Sequence, residues 1–326
     1  MSIYCTYFDN RYLSRGAALI ESLREHGDMT PIIVLCLDSI TAGELEGLGL
    51  NNVSTITLPT LEAEFPQLLD AKSNRSTTEY YFTLTPWLCL YALDSSSAEM
   101  VTYLDADLFF YANPEVMFTI IGDSDVAIVP HRFPDEQRWR EKFGTYNVGW
   151  VSFRSSVSGR ICLRWWADSC LDWCLDTPEN GRFADQGYLD SFFNVVSADR
   201  ISVVDHPGVN LAPWNLARHE LDMFSDGRLR VDGEDLIFFH FHGLQQNGDR
   251  YYLKHAAYKV RTTKLMVDEL YRPYILRLRH FEARLNLQPT RNLERRANFA
   301  SVLQPGRKSL LRMLARIRGD SLTVAS

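Results

Sequence analysis

The sequence is short of several features that would have fixed its class at once. No stretch approaches the roughly 20 consecutive apolar residues that a membrane span needs. The opening run Ser2-Ile3-Tyr4-Cys5-Thr6-Tyr7-Phe8 is apolar but is cut off by Asp9 and Asn10. It lacks the basic lead and long apolar core of a secretion signal, so a cytoplasmic location is expected. Neither the Gly-x-Gly-x-x-Gly fingerprint nor the P-loop pattern occurs, which disfavours a dinucleotide dehydrogenase or a P-loop ATPase. Cys5, Cys36, Cys89 and Cys162 stand apart in apolar surroundings, and only Cys170 and Cys174 share helical i, i+4 spacing. No second Cys/His pair follows with zinc-site spacing, and disulfides are not expected in a reducing compartment. Internal repeats and recognised nucleic-acid motifs are also missing, so nucleic acid is not an expected partner.

What is present reads as an ordinary globular chain. Hydrophobic residues make up 46% and charged residues 23% of the 326, enough to bury a sizeable core. Charge is uneven. Residues 250–326 hold 17 Lys+Arg and 5 Asp+Glu, a balance of +12, so residues 1–249 carry −19 of the total of −7. An acidic body with a basic tail bears on partners more than on fold. It suggests a domain at 1–249 and a basic, helical C-terminal extension at 250–326.

The first half alternates strand and helix. Ile3–Phe8 reads as a strand, and residues 15–26 as a helix stopped by Gly27. The continuous apolar run Ile32–Leu35 reads as a strand buried on both faces. A short helix at 41–48, a strand at 53–58 and a long aromatic helix at 77–94 follow. Met100–Leu104 is a strand, as is Asp125–Pro130. Further on, strands are expected at 147–153, 201–204 and 236–241, and a helix at 159–174. This alternation predicts a mixed, mostly parallel α/β sheet covered by helices on both faces. Ligands of such sheets bind at the carboxyl ends of the strands.

At one such end stands Asp105-Ala106-Asp107, directly after Leu104. Two carboxylates two residues apart suit a hard divalent cation, which prefers oxygen ligands and leaves room in its shell for substrate phosphates. A second pair, Asp123 and Asp125, precedes its strand and so belongs to the opposite end of the sheet. Phe238-Phe239-His240-Phe241-His242-Gly243 places two imidazoles on one face of a strand. Gly243 would let backbone approach a phosphate closely. Between residues 206 and 215, His206, Asn210, Trp214 and Asn215 combine polar groups with an aromatic plate, a mixture that suits a sugar.

These segments resemble those of GT-A fold glycosyltransferases, above all glycosyltransferase family 8, the glycogenin and lipopolysaccharide galactosyltransferase group. The resemblance covers roughly residues 3–243. Leu104-Asp105-Ala106-Asp107 is similar to that family's metal motif, and His240-Phe241-His242-Gly243 to its His-x-x-Gly motif. It implies a GT-A sheet and a Mn²⁺ or Mg²⁺ ion held by Asp105, Asp107 and His240. His242 and Gly243 would then lie against the donor phosphates. Asn147 and the pair Asp185 and Gln186 would orient the donor sugar. Phe8, Asp9, Asn10 and Tyr12 fall where the family holds the nucleotide base. The segments Asn147-Val148-Gly149-Trp150 and 210–215 are also similar to a group of uncharacterised bacterial glycosyltransferases.

Two departures stand out. The family's Lys-Pro-Trp after His-x-x-Gly is replaced by Leu244-Gln245-Gln246-Asn247, and Phe82 stands where an Arg often follows the Tyr pair. Arg75 or Lys72 is the expected source of the missing positive charge. The implied activity is transfer of a sugar, with retention favoured over inversion, from a UDP-linked donor to a glycan or lipid-linked acceptor in bacterial polysaccharide synthesis. A non-catalytic nucleotide-sugar binding protein of the same fold is the alternative. A pyrophosphorylase lacks support because its Gly-rich loop is missing after the first strand. A phosphohydrolase lacks support because no nucleophilic Asp motif follows that strand. In the tail, Leu310, Leu311, Met313, Leu314 and Ile317 interleave with Arg312, Arg316 and Arg318. That pattern suggests peripheral attachment to the inner face of an anionic membrane.

Overall fold

Seven of the first eight strands assemble into a single sheet in the computed structural model, which describes residues 1–287 and 320–323. In chain order the elements are β1 (Ser2–Phe8), α1 (Leu13–Glu25), β2 (Ile32–Cys36), α2 (Ser39–Gly47), β3 (Val53–Thr57), α3 (Leu58–Glu64), α4 (Leu68–Asn74) and α5 (Thr77–Asp94). Then come β4 (Met100–Leu104), β5 (Leu108–Phe110), α6 (Glu115–Ile121), β6 (Val126–Pro130), β7 (Tyr146–Arg154), α7 (Val157–Asp172), β8 (Ile201–Val203) and, much later, α8 (Arg272–Arg284). The sheet order is β3-β2-β1-β4-β7-β6-β8. Only β7 runs against its neighbours, and every other pairing is parallel. This is the expected mixed, mostly parallel architecture.

Alternation along the strands divides the core into two layers. Tyr4, Phe8, Ile32 and Val34 pack with α1, α6 and α8 on one face. Ile3, Cys5, Ile33, Leu35, Val101 and Tyr103 pack with α3, α5 and α7 on the other. Helix α5 starts with a reciprocal cap: Ser76 Oγ accepts from the Glu79 amide while Glu79 accepts from the Ser76 amide. That pairing satisfies two of the orphan donors at a helix start.

The junction of β1 and α1 shows how tight this packing is. A Cβ at Gly16 would lie 2.1 Å from the Phe8 ring, which is 2% exposed. Gly16→Ala is therefore expected to cost about 2–3 kcal/mol, because neither the strand nor the helix can move away alone. Urea denaturation measures this, and a loss below about 0.5 kcal/mol would mean that the ring finds another place.

A hairpin spans the division expected at 249/250. Gln245–Asn247 and Arg250–Tyr252 are the two strands of one hairpin, so the boundary falls in its turn. Helix α8 buries Tyr274, Ile275, Leu278 and Phe281 in the same core as α1. Arg277 of α8 bridges Glu21 and Glu25 of α1. Ser321–Thr323 returns as a third strand beside Arg250–Tyr252, and Asp320 accepts from the amides of His255 and Ala256. Positive charge marked this segment as separate, but its apolar stripe packs it onto the body. The Leu/Arg pattern at 310–318 lies outside the described residues. Among the described residues, no helix is long and apolar enough to cross a membrane.

Candidate metal and donor site

Strand β4 ends at Leu104, and the next carboxylates stand at its carboxyl end. The Asp105 amide donates to the Gly149 carbonyl, and a tight turn (Leu108 amide to Asp105 carbonyl) leads into β5. Strand Phe238–His240 pairs antiparallel with β5, with His240 opposite Leu108. The Phe241 amide closes on the Asp107 carbonyl. This small sheet brings residues more than 130 positions apart onto one spot. His240 Nε2 lies 3.0 Å from Asp107 Oδ1 and 3.6 Å from Asp105 Oδ2. One ligand atom from each of the three residues falls within 4.8 Å of the others. The Asp105 and Asp107 side chains are 24% and 13% exposed and that of His240 is 4% exposed, so the cluster opens on its carboxylate side. Two carboxylates and an imidazole fit a hard divalent cation that keeps part of its shell for other ligands.

Charge in the cluster is partitioned unevenly. Burial raises the Asp105 carboxyl to about 6, with the Asp107 charge adding and the His240 charge opposing. At Asp107 burial acts in the same direction, but the His240 charge and hydrogen bond, with help from Arg15, hold the carboxyl well below the usual range. Burial lowers His240, and the Asp107 carboxylate more than reverses this, so the imidazole is raised. Without a cation, Asp107 and His240 thus each favour the charged form of the other. His242 is different: burial and the Lys254 charge pull it down to about 3, so it stays neutral. The Trp214 ring stands edge-on to both imidazoles, with centroids 5.0 and 5.3 Å away.

Asn147 and Gln186 connect to this cluster. His240 Nδ1 is 3.3 Å from Asn147 Oδ1, and Asn147 Nδ2 donates to Gln186 Oε1 at 2.9 Å. Gln186 Nε2 in turn donates to the Phe143 carbonyl at 2.8 Å. Such outer contacts fix the orientation of a metal-binding imidazole. Asp185 is 2% exposed, and burial raises its carboxyl to about 7; a hydrogen bond with Thr85 opposes the rise and the Asp105 charge adds to it. Tyr103 donates to Asp105 Oδ1 at 3.0 Å, while the Tyr7 hydroxyl is 3.3 Å from Thr85 Oγ1. A pair of tyrosines thus links the two acidic positions.

Gly149 is required by this network. A Cβ there would stand 2.7 Å from Asn147 Oδ1 and 3.0 Å from His240 Nδ1. Gly149→Ala is expected to weaken Mn²⁺ binding by about tenfold or more while the protein stays folded. Titration of free Mn²⁺ by electron paramagnetic resonance reads the affinity, and unchanged binding would show that the Asn147 contact does not orient His240.

Several sequence-based assignments change. Phe8 offers no side chain to a ligand, because its ring is packed on Gly16. Arg75 is committed elsewhere: its guanidinium donates to Thr83 and to the carbonyls of Cys170 and Leu171 near the end of α7. Lys72 pairs with Glu62. Asp9 pairs with Arg11, the Asn10 amide donates to Asp38 Oδ2, and Tyr12 is exposed at the start of α1. Tyr81, which senses the charges of Asp9 and Asp38, joins this group. Trp214 Nε1 and Asn215 Nδ2 both donate to the His131 carbonyl, which makes them supports of the loop. Gly243 is left-handed, and a Cβ there would meet Lys254 Nζ at 2.6 Å. Asp125 is a structural residue, buried and held by Arg200 and Ser156.

Two cations beside the cluster were missed. Arg15, in the first turns of α1, donates to the Leu244 carbonyl and acts on Asp107. Lys254 lies against Gly243 and acts on His242. The signal for Arg15 was its position just after the first strand, at the helix end that faces the crevice. Lys254 carried no local signal, since a hairpin brings it back.

The sheet and the strand-end cluster define a mixed α/β protein whose acidic and imidazole side chains meet at the carboxyl end of a mostly parallel seven-stranded sheet. The chain belongs to the family of YfnF, an uncharacterized protein of Bacillus subtilis (strain 168): the two are 35% identical over 287 residues, covering 84% of this chain and 93% of YfnF. It is also similar to YfnD of the same organism, another uncharacterized protein, at 28% identity over 85% of this chain and 89% of YfnD. No family model matches the chain. Among solved structures it is similar to the galactosyltransferase LgtC in complex with donor and acceptor sugar analogs. There the identity is 19%, the coverage 74% of this chain and 87% of LgtC, and the TM-score 0.47. Mouse xyloside xylosyltransferase 1 aligns at 14% identity over 74% of this chain and 98% of its own, with a TM-score of 0.46.

Proposed function

We propose that the protein is a metal-dependent glycosyltransferase that moves a sugar from a nucleotide-diphosphate donor, UDP-linked in our reading, to a glycan or lipid-linked acceptor with retention of anomeric configuration. The observation that carries this reading is the Asp105, Asp107 and His240 cluster, tied through Asn147 to Gln186. Those three residues would hold Mn²⁺ or Mg²⁺. When bound, the ion neutralises charge on the diphosphate and makes the nucleotide a better leaving group.

The protein's own groups account for the remaining steps. Arg15 and Lys254 offer positive charge to the diphosphate, in place of the absent Lys-Pro-Trp lysine. Asp9, Asn10, Tyr12 and Tyr81 form the surface for the base. Asn147, Gln186 and Asp185 orient the donor sugar. The bond from the anomeric carbon to the phosphate oxygen breaks, and the acceptor oxygen bonds to the same carbon. The acceptor proton passes to the departing phosphate oxygen, so no strong protein base is needed. A buried Asp185 that keeps its proton near neutrality fits a hydrogen-bonding role better than the role of a base. The Leu/Arg tail pattern supports attachment to an anionic membrane, which co-sedimentation of the full chain with anionic vesicles tests.

A panel of nucleotide-sugars with Mn²⁺, scored by thermal shift and by nucleotide release, identifies the donor. Donor binding without turnover on any acceptor would favour the non-catalytic alternative. Proton NMR of the product's anomeric centre tests stereochemistry, and an inverted product would overturn retention.

A further inference from the structure

A second group of cations, distinct from Arg15 and Lys254, lines a separate cleft. A cleft of about 240 Å³ opens at the carboxyl ends of β6 and β8 and the start of β7. Arg132, Arg138 and Arg218 line it together with Glu141, Asp205 and Tyr146. Arg132 is the unusual member. It is 9% exposed and holds a left-handed backbone, φ 54°, which a branched or long side chain rarely adopts. Its Nη2 donates to the Val209 carbonyl. Its Nε and Nη1 are buried and have no hydrogen-bond partner among the described residues.

The acids nearby do not complete Arg132. Asp205 is 3.7 Å from Nη1, too far for a hydrogen bond, and its side chain is 73% exposed. Asp232 faces the same guanidinium but is engaged by His219 and by the Glu220 amide. Arg218 is exposed, forms no salt bridge among the described residues and repels Arg132. Arg138 is shared with Asp135 at 3.1 Å. Burial, with the charges of Asp205 and Arg218 opposing one another, pulls Arg132 down to about 10, so it remains charged at neutral pH. A buried charge with unmade hydrogen bonds is costly and is retained where something else supplies the partner.

Building on the transferase reading, we propose that this cleft is an acceptor subsite that binds an oxyanion group, a carboxylate of an acidic sugar or a phosphate ester, through Arg132 and Arg218. The donor diphosphate is served by a different set of cations, so these arginines suit a different molecule. The location fits as well. His131, next to Arg132, contacts Asn147, which contacts His240. The cleft residue Arg132 is thus linked to the metal cluster through its neighbour His131 and Asn147, which places an anion bound there near the candidate site.

The test titrates the full-length protein, saturated with Mn²⁺ and UDP, with glucuronate, glucose 6-phosphate, inorganic phosphate and glucose. Binding is followed by calorimetry. Tighter binding of the anionic probes than of glucose, by about tenfold, is the expected result, and the carboxylate and phosphate arms tell the two sources apart. Arg218→Ala removes an exposed side chain and is expected to weaken the preferred anion by about tenfold. Arg132→Met should abolish the preference, and unliganded melting temperatures show whether each variant is folded. Equal binding of all four probes, or anion binding untouched by Arg218→Ala, overturns the proposal. Absence of metal-dependent nucleotide binding by the wild type would instead sink the transferase reading, and is scored separately in the UDP titration that precedes the probes.

Discussion

Asp107→Ala is expected to lower metal-dependent turnover by about a thousandfold. The residue sits closest to His240 and carries the most firmly ionised carboxylate of the cluster. Its loss leaves Asp105 and a buried imidazole, too little charge to hold a hard dication against water. Asp107→Asn keeps the shape and removes the charge, and is expected to fail to nearly the same degree. That companion guards against a trivial outcome in which Ala disturbs the fold. Nucleotide release from the donor chosen by the panel is the measurement, with excess EDTA on the wild type as a parallel arm. Turnover that survives both substitutions, or survives EDTA, would show that the cluster is not the catalytic metal site.

The second large effect concerns stability against pH. Asp185 keeps its proton in the folded state up to about pH 7, whereas its ordinary value is 3.8. Below the ordinary value both states are protonated, and the contribution of this group is fully present. Between about 4 and 7 the unfolded chain releases the proton and the folded chain does not, so stability falls as pH rises, and the loss levels off above 7. A shift of that size corresponds to roughly 4 kcal/mol at most. Asp185→Asn cannot ionise and should escape the loss. Urea denaturation of metal-free wild type and variant at pH 5.5 and 8.5 is expected to show the variant gaining on the wild type by about 2 kcal/mol on going to the higher pH, since the rest of the loss already lies below pH 5.5. Parallel behaviour of the two proteins would mean that Asp185 is already ionised in the fold. The same comparison bears on mechanism, because an ionised Asp185 would reopen its role as the base of an inverting reaction.

The main sheet was legible in the sequence because its signals are local. Apolar runs such as Ile32–Leu35 must be buried on both faces, and the cap at Ser76 and Glu79 sits where the helix pattern begins. Asp105 and Asp107 stood out because a strand ends immediately before them. His240 was proposed from its strand and from the resemblance. Its contact with Asp107 depends on the pairing of β5 with Phe238–His240, which no periodicity shows. Arg75 illustrates the limit: a cation near the expected site looked available until its donors met the carbonyls at the end of α7. The hairpin across the expected boundary at 249/250 was hidden for a related reason. Net charge changes there, yet the hairpin and the apolar face of α8 respond to packing, to which surface charge contributes little.

By itself the sequence determined the alternation of elements, the end of the sheet at which chemistry belongs, and the acidic pair placed there, since each follows from residues close in the chain. Only the tertiary structure decided which distant side chains complete the site. It brought His240, Asn147 and Gln186 to the acidic pair, put Arg15 and Lys254 beside it, and left Arg132 with unmade hydrogen bonds in a second cleft. Those outcomes depend on strand register, on hairpins that return the chain, and on the competition of buried donors for carbonyls. All three are properties of the packed molecule, absent from any short stretch of its sequence.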